Sequence, residues 1–100
     1  MADSELLYEK IINSSDEKGQ QLRLVMNIFR EVEYLHLRKY YQNFEGEFVP
    51  SKEGASMPAT IGNMYALLDG LLEVVAKEEG IDAIAEHFGS KISDLKNKSK

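Results

Sequence analysis

Hydrophobic and polar positions alternate along two neighbouring segments in the middle of the chain, and this pattern predicts two strands. Residues 21–30 (QLRLVMNIFR) carry apolar side chains at the even positions from Leu22 to Ile28, and residues 32–41 (VEYLHLRKYY) alternate around two leucines. Because successive side chains of a strand point to opposite faces, each segment would bury one apolar face in a common core. A helix is the alternative for residues 21–30, but their β-branched and aromatic content favours a strand.

A third strand is predicted over residues 6–13 (LLYEKIIN), which are rich in apolar, aromatic and β-branched types. Its alternation is imperfect, because Leu6-Leu7 and Ile11-Ile12 are adjacent apolar pairs. Such pairs are typical of a strand that is buried on both faces or lies at a dimer contact. The polar segment that follows, SSDEKGQ, predicts a hairpin loop.

A fourth, extended segment is predicted over residues 48–57 (FVPSKEGASM), after a turn around Gly46. Pro50 cannot donate a hydrogen bond to a neighbouring strand, so this strand is expected at a sheet edge or to contain a bulge. Gly54 indicates a close backbone approach or a positive φ angle.

Two helices are predicted after the strands. Residues 58–79 predict a long amphipathic helix with Pro58 in its first turn and a stop before the following glycine. A second, short helix over residues 81–88 is expected to end at Gly89, and the polar, basic residues 90–100 are expected to fray. The apolar stripe of the long helix consists of Ile61, Met64, Tyr65, Leu68, Leu71, Leu72 and Val75.

The face opposite the predicted core is aromatic and basic, and carries Arg23, Phe29, Arg30, Tyr34, His36, Arg38 and Tyr40. Strict alternation places Lys39 and Tyr41 on the core side, unless a bulge after Leu37 moves them to the edge. Aromatic rings stack on nucleic-acid bases and basic groups bind phosphates, so this face indicates binding of single strands with weak sequence preference. The alternative is that these are ordinary half-exposed strand residues, because Tyr, Phe and Arg suit sheets.

Composition narrows the class of protein. One hundred residues with 43% apolar content predict one domain, with a core over about residues 6–79 and a C-terminal extension from residue 80. The absence of Cys excludes disulfides and thiolate metal sites. The sequence contains no run of 18 apolar residues, which is about the length needed to span a membrane, and the acidic N-terminus argues against export. We expect a cytoplasmic or nucleoid-associated protein (nuclear in a eukaryote) without membrane contact.

The net charge of −5 opposes a purely electrostatic nucleic-acid binder. Residues 1–20 carry −3, residues 21–60 are neutral, residues 61–90 carry −5 and residues 91–100 carry +3. The acidic residues are thus concentrated in the N-terminus and the helical segment. A sheet whose other face is covered by the helix would escape most of that charge.

No residue pattern indicates catalysis, a metal or a cofactor. His36 and His87 are the only histidines, and their spacing matches no metal-binding motif. The glycines are scattered and form no phosphate-binding loop, and no nucleophile motif is present. The acids Glu73, Glu78 and Asp82 fit a solvated helix face. We therefore expect a non-catalytic protein.

The stretch LHLRKYYQNFEGEFVPSKEGASM, followed by a helix, resembles the core of the positive cofactor four family of transcriptional coactivators. The resemblance covers roughly residues 20–75. Its pattern is an alternating strand ending in an Arg, an acidic residue and two aromatics, then a Gly-Glu turn, and then a Pro–basic–Gly–small–Ser segment before the helix. The matching positions are Leu35, Leu37, Arg38, Tyr40, Tyr41, Gly46, Glu47, Pro50, Lys52, Gly54 and Ser56.

The resemblance implies an α+β homodimer: a curved four-stranded antiparallel sheet, a long helix that pairs across a two-fold axis, and here a short C-terminal helix. It also implies binding of single-stranded DNA or melted duplex. By position, the implied DNA contacts are Phe29, Arg30, Arg38, Tyr41 and Lys52. The strand pattern adds Arg23, Lys39 and Tyr40 as candidate contacts, and the implied dimer interface includes Tyr65, Leu68 and Leu72.

The sequence departs from the family pattern in its charges. Asn27, Val32, Val49 and Glu53 stand at positions that are often basic in the family, while Lys39 replaces an acid. Several phosphate contacts are therefore missing, and stacking is expected to carry more of the affinity. The basic end, with Lys91, Lys96, Lys98 and Lys100, could add phosphate contacts or simply be solvated. Short, acidic members with terminal extensions occur in bacteria and tailed phages, and the resemblance favours such a source.

Two functions follow as hypotheses. The first is a non-catalytic single-stranded DNA-binding protein acting in replication, recombination or transcription. The second is a protein-interaction or transcription cofactor module of the same fold, whose acidic helices or C-terminal extension recruit a replication or transcription protein while DNA binding is residual. The first requires Phe29 and Arg38 for DNA affinity, and the second requires residues 81–100 for partner capture.

Overall fold

A computed structural model describes residues 4–98 of the chain. Four strands, β1 (Ser4–Ser15), β2 (Gln20–Phe29), β3 (Val32–Gln42) and β4 (Phe48–Pro58), form one antiparallel sheet in the order β1-β2-β3-β4. Two helices follow, α1 (Ile61–Glu79) and α2 (Ile81–Lys98). The predicted α+β class and element order are confirmed. The chain divides into a strand unit that ends at Asn63 and a helical unit that begins at Met64.

The register of β2 and β3 sorts their side chains onto two faces. The pairing runs without interruption from Gln20 opposite Tyr41 to Phe29 opposite Val32, and directly opposite residues project from the same face. What we call the arginine face carries Arg23, Val25, Asn27, Phe29, Tyr34, His36, Arg38 and Tyr40. The leucine face carries Leu22, Leu24, Met26, Ile28, Leu35, Leu37, Lys39 and Tyr41. This division is the one that alternation predicts, and the helix alternative for residues 21–30 is wrong.

β1 lies at one edge of the sheet, and from Ser4 to Ser14 it is exposed. The prediction of a strand buried on both faces is therefore wrong within this chain. The register against β2 shifts between Leu6 and Tyr8 and between Ile11 and Asn13, which leaves Leu7 and Ile12 as extra residues in bulges. The adjacent apolar pairs thus mark two bulges that reset the alternation, and they do not mark a doubly buried strand.

A two-residue turn at Arg30 and Glu31 joins β2 to β3. Both residues have positive φ angles, 53° for Arg30 and 71° for Glu31. Such a pair of angles is typical of the tightest hairpins, which usually contain Asn-Gly because other side chains are strained there. Arg30, predicted as the end of the strand, is instead held at the tip of the hairpin.

β4 contains the bulge that Pro50 indicates. Tyr40 pairs with Pro50 and Arg38 pairs with Gly54, so three residues of β4 stand opposite Lys39 alone. Ser51 closes this bulge, because its hydroxyl donates to the Lys39 carbonyl at 2.7 Å and accepts from the Glu53 amide at 3.0 Å. The predicted irregularity is confirmed, and it lies in β4 and not in β3.

The first helix begins later than predicted. Pro58 is the last residue of β4, paired with Tyr34, so its predicted place in the first helical turn is wrong. Thr60 caps the helix instead, because its hydroxyl accepts from the amide of Asn63 at 3.1 Å. Gly80, with a φ of 86°, ends α1 as predicted.

The second helix is longer than predicted. α2 continues through Gly89 to Lys98, so the predictions of a stop at Gly89 and of frayed residues up to Lys98 are wrong. A glycine inside a helix costs only about 1 kcal/mol relative to alanine. The apolar stripe of α2 continues past it, through Ile84, Phe88, Ile92 and Leu95, and this continuation is the signal that outweighs the glycine. The last two residues of the predicted tail lie outside the described residues.

Few apolar side chains of this chain are buried. Among residues 4–98, only Val25, Tyr40 and Ile84 are buried. Val25 and Tyr40 project from the arginine face, so the prediction that the leucine face forms the core is wrong within this chain. The helices in particular leave large apolar side chains exposed, among them Tyr65, Leu68, Leu71, Val74, Ile92 and Leu95. None of the described helices combines the length and the apolar character needed to cross a membrane.

Replacing Gly54 by alanine should destabilise the protein by about 2–4 kcal/mol. Its φ is 147°, and an added Cβ would lie 2.5 Å from the Leu37 carbonyl oxygen and 2.9 Å from the Arg38 Cα, both backbone atoms of β3 that cannot easily move. Urea unfolding at one fixed protein concentration measures the loss. Gly89→Ala is the control: nothing lies within 4 Å of the new methyl group, and helix propensity predicts a gain of about 1 kcal/mol. Equal stability of Gly54→Ala and wild type would contradict the close approach.

Candidate nucleic-acid interface

Arg23 is the most constrained basic group on the arginine face. Its guanidinium carbon lies 4.2 Å from the centre of the Tyr40 ring. Its Nε and Nη2 donate to the Gln21 Oε1 at 2.9 and 2.7 Å, and its Nη1 donates to the Glu9 Oε2 at 2.7 Å. A cation–π contact, an amide and a carboxylate therefore fix the orientation of this side chain, which is 17% exposed.

Arg38 lies directly opposite Arg23 and has different partners. Its Nη1 donates to the Ser51 carbonyl oxygen at 2.9 Å and its Nη2 contacts the His36 Nδ1 at 3.3 Å. The His36 Nε2 lies 2.8 Å from the Asn27 Oδ1, and the Asn27 Nδ2 donates to the Ser4 Oγ at 3.2 Å. One chain of hydrogen bonds thus crosses all four strands, from Ser51 in β4 through Arg38 to Ser4 in β1.

These contacts settle the protonation of His36. A guanidinium can only donate, so the His36 Nδ1 must accept and its proton must lie on Nε2, from which it is donated to Asn27. Partial burial, and secondarily the positive charge of Arg38, lower the pKa of His36 below its ordinary value of 6.5. The neutral imidazole is therefore the form that the arginine face favours.

Two guanidinium groups face each other here, yet only one is neutralised. Among the described residues, no carboxylate forms an ion pair with Arg38, whereas Arg23 pairs with Glu9. Arg38 therefore retains its positive charge next to a neutral imidazole and a backbone carbonyl. This is the electrostatic feature of the face that favours an anion.

Phe29 and Arg30 lie at the hairpin end of the same face. The Arg30 guanidinium carbon is 5.0 Å from the centre of the Phe29 ring, and Phe29 remains 39% exposed. Tyr40, in contrast, is only 9% exposed and its ring contacts Arg23. Phe29 can present an aromatic surface to a base, whereas Tyr40 acts as the support beneath Arg23.

Lys39, Tyr41 and Lys52 do not join this group. Lys39 and Tyr41 project from the leucine face, and the Lys39 Nζ forms an ion pair with the Glu53 Oε1 at 2.9 Å. Lys52 is exposed in the β4 bulge. The structure thus places Arg23, Phe29, Arg38 and Tyr40 on one face of the sheet, with Arg30 at the adjoining turn.

Glu9 was not anticipated from the sequence. Strict alternation from Leu6 would place it on the leucine face, and only the bulge at Leu7 turns it towards Arg23. The adjacent Leu6-Leu7 pair was the signal that could have revealed the bulge. The His36–Asn27–Ser4 chain could not be found by alternation alone, because it depends on the register of three strands.

Comparisons with known proteins bear on the fold. No protein-family model matches the sequence, and no curated protein matches it significantly. A bacteriophage T5 homologue of the eukaryotic transcription coactivator PC4, implicated in recombination-dependent DNA replication, matches 95% of this chain and 98% of its own. The TM-score is 0.65 at 22% sequence identity. A PC4 homologue from Burkholderia pseudomallei matches 80% of this chain and 97% of its own, with a TM-score of 0.57 at 21% identity.

These findings define the structural class of the protein. It is an α+β protein in which an open, four-stranded antiparallel sheet with a basic and aromatic face precedes two helices. Its fold is that of the PC4 homologues from the phage and the bacterium. The resemblance to the positive cofactor four family that the sequence indicates is thus confirmed at the level of the fold.

The lowered pKa of His36 predicts a loss of stability at acidic pH. The folded protein binds a proton at His36 less readily than the unfolded chain, whose histidine titrates near 6.5. The free energy of unfolding should therefore fall as the pH drops below about 6.5, and should level off below the pKa of the folded protein. Urea unfolding between pH 8 and pH 5, for wild type and His36→Gln, measures this effect. A stability difference between the two proteins that is the same at every pH would contradict the prediction.

Proposed function

We propose that this protein is a homodimeric, non-catalytic single-stranded DNA-binding protein with little sequence preference, acting in DNA replication, recombination or transcription. The observation that carries the proposal is the arginine face: two oriented guanidinium groups with an exposed aromatic ring on the same strand as one of them. Guanidinium groups bind phosphates and exposed rings stack on bases, and neither contact reads sequence.

The spacing of these groups suits a strand of nucleic acid and not a small ligand. Phe29 lies six residues from Arg23 along β2, which corresponds to about 20 Å at the rise of a β-strand. Arg38 lies beside Arg23 on the next strand. Phosphate binding at Arg38 and stacking at the hairpin end would therefore engage different nucleotides of one extended strand.

Each candidate contact has a specific role in this proposal. Arg38 binds a phosphate, because its charge is not neutralised by a carboxylate and its orientation is fixed. Phe29 stacks on a base, and Arg30 and Lys52 add charge at the turn and the bulge. Lys39 and Tyr41 remain predicted contacts. Because they lie on the leucine face, they would contact a different segment of DNA from the one that Arg38 binds.

The pathway is proposed by analogy. The T5 protein with the same fold is a PC4 homologue implicated in recombination-dependent DNA replication. Unpaired strands arise in replication, recombination and transcription alike, and a binder without sequence preference suits all three. A direct readout of bases in duplex DNA would require side chains that reach the groove edges, and the proposal assigns none.

The homodimer is proposed from the exposed apolar surface. Tyr65, Leu68 and Leu72 lie on one side of α1, where they line a shallow depression together with Ala66 and Asp69. A chain of 100 residues buries a limited fraction of its apolar surface alone, and a large exposed stripe is typical of an interface. A second copy of α1 would cover this stripe.

The direct test of DNA binding is the fluorescence anisotropy of a labelled 20-mer oligo-dT at two salt concentrations, with a matched duplex as control. We expect submicromolar binding of the single strand, much weaker binding of the duplex, and a shallow salt dependence because few phosphate contacts are available. Absence of binding even at low salt would reject the proposal and favour a protein-interaction module of the same fold.

Phe29→Ala should weaken oligo-dT binding by about five- to 100-fold, the range expected when one base loses its aromatic partner. Phe44→Ala is the matched control, because Phe44 is fully exposed in the loop between β3 and β4 and lies off the arginine face. The control should bind like wild type, and both variants should unfold at the wild-type urea concentration. Equal affinities of Phe29→Ala and wild type would remove Phe29 from the site.

Leu68→Asp should raise the dissociation constant of the dimer by at least about tenfold, because it places a charge in the centre of an apolar interface. Analytical ultracentrifugation over a range of protein concentrations measures this constant. Val74→Asp is the control: Val74 is also exposed on α1 but lies off the stripe. A monomeric wild type, or a dimer that tolerates Leu68→Asp, would contradict the proposed interface.

A further inference from the structure

Glu9 of the edge strand β1 reaches across to the arginine face and neutralises one of its two guanidinium groups. The distance from the Glu9 Oε2 to the Arg23 Nη1 is 2.7 Å, and the side chains of Arg23 and Glu9 are 17% and 30% exposed. Among the described residues, Glu9 is the one charged partner of Arg23, since Gln21 supplies an amide oxygen and Tyr40 a ring. An anion that binds Arg23 must therefore compete with Glu9.

We propose that Glu9 occupies the place of a nucleic-acid phosphate at Arg23, so that β1 limits the affinity of the arginine face for single strands. The inference rests on the proposed DNA-binding function and deepens it. Carboxylates and phosphates are bound by guanidinium groups through the same charge-assisted hydrogen bonds. Arg23 is already oriented by Gln21 and Tyr40, so an incoming phosphate finds the donor in place once the carboxylate leaves.

The position of Glu9 allows it to leave. β1 is an edge strand whose outer side has no neighbour in the sheet, and two bulges interrupt its pairing with β2. The Glu9 side chain is partly exposed, so its carboxylate can rotate into solvent without opening the sheet. A partly exposed ion pair contributes little to stability. The movement also breaks the hydrogen bond between the Tyr40 hydroxyl and the Glu9 carboxylate, which adds to its cost.

A structural role is the alternative, and it makes the opposite prediction. Like charges directly opposite each other on neighbouring strands destabilise a sheet, and Glu9 offsets the repulsion between Arg23 and Arg38. If this were its only role, removing the charge of Glu9 would lower stability and leave DNA affinity unchanged or reduced. If Glu9 competes with phosphate, removing its charge should instead raise the affinity for DNA.

Glu9→Gln tests the inference with labelled oligo-dT. We expect binding about three- to tenfold tighter than wild type at moderate salt. The slope of log K against log salt should steepen by about 0.7, the value for one additional phosphate contact on a single strand. Glu5→Gln is the control, since it changes the net charge equally but lies opposite Ile28, on the leucine face. Its affinity should change less than twofold, and an equal gain in both variants would overturn the inference.

A second pair of variants locates the effect at Arg23. In the Glu9→Gln protein, Arg23→Gln should abolish the gain in affinity and return the salt slope to the wild-type value. If the gain survives without Arg23, the inference is wrong. If Glu9→Gln does not fold, Glu9→Asp is the substitute, because it retains the net charge and shortens the side chain by one carbon. We again expect tighter binding of oligo-dT than in wild type. Unchanged or weaker binding would overturn the inference.

These measurements distinguish a failure of the proposed role of Glu9 from a failure of the proposed DNA binding. If wild type binds oligo-dT and Glu9→Gln binds it with the same affinity, Glu9 does not compete with phosphate, but the proposal of DNA binding is retained. Failure of wild type and Glu9→Gln alike to bind oligo-dT at low salt rejects both.

Discussion

Two arginines stand directly opposite each other on the central strands of this sheet, and the arrangement of the arginine face depends on how their charges are accommodated. Arg23 rests on the Tyr40 ring and is paired with a carboxylate from β1. Arg38 is held by a carbonyl of β4 and by a neutral histidine. The two guanidinium groups therefore draw on partners from every strand. The sheet register, the bulge in β4 and the bulges in β1 all serve to bring these partners within reach.

The same side chains form the core of the strand unit and its candidate site. Val25 and Tyr40, the buried residues in the described part of that unit, both belong to the arginine face. Tyr40 fills space beneath Arg23 and also orients its charge. A substitution at Tyr40 would therefore disturb the core and the candidate site together, unlike one at Phe29, which is exposed at the end of the face. A loss of affinity at Tyr40 would carry a structural component that a loss at Phe29 would not.

Alternation predicted the two central strands and the division of their side chains between two faces, because side-chain direction in β2 and β3 follows a strict period of two. It did not predict which face is buried, since Val25 and Tyr40 lie opposite the leucine face. The same rule fails at Glu9, since each bulge in β1 shifts the period by one residue. The end of α2 was missed because Gly89 was given more weight than the apolar residues that follow it. Pro58 was assigned to the helix although its pairing with Tyr34 places it in β4. Hydrogen bonds between residues on different strands, such as His36 with Asn27, required the register itself.

The turn between β2 and β3 is a position at which greater stability would change the surface of the hairpin tip. Arg30 and Glu31 hold left-handed conformations that Asn-Gly adopts at lower cost. Selection for thermal tolerance alone would favour Asn-Gly at these two positions. The exchange would remove the guanidinium that lies over Phe29. Heat resistance and the chemistry of the hairpin tip thus compete for the same two residues, and the present sequence keeps the less stable choice.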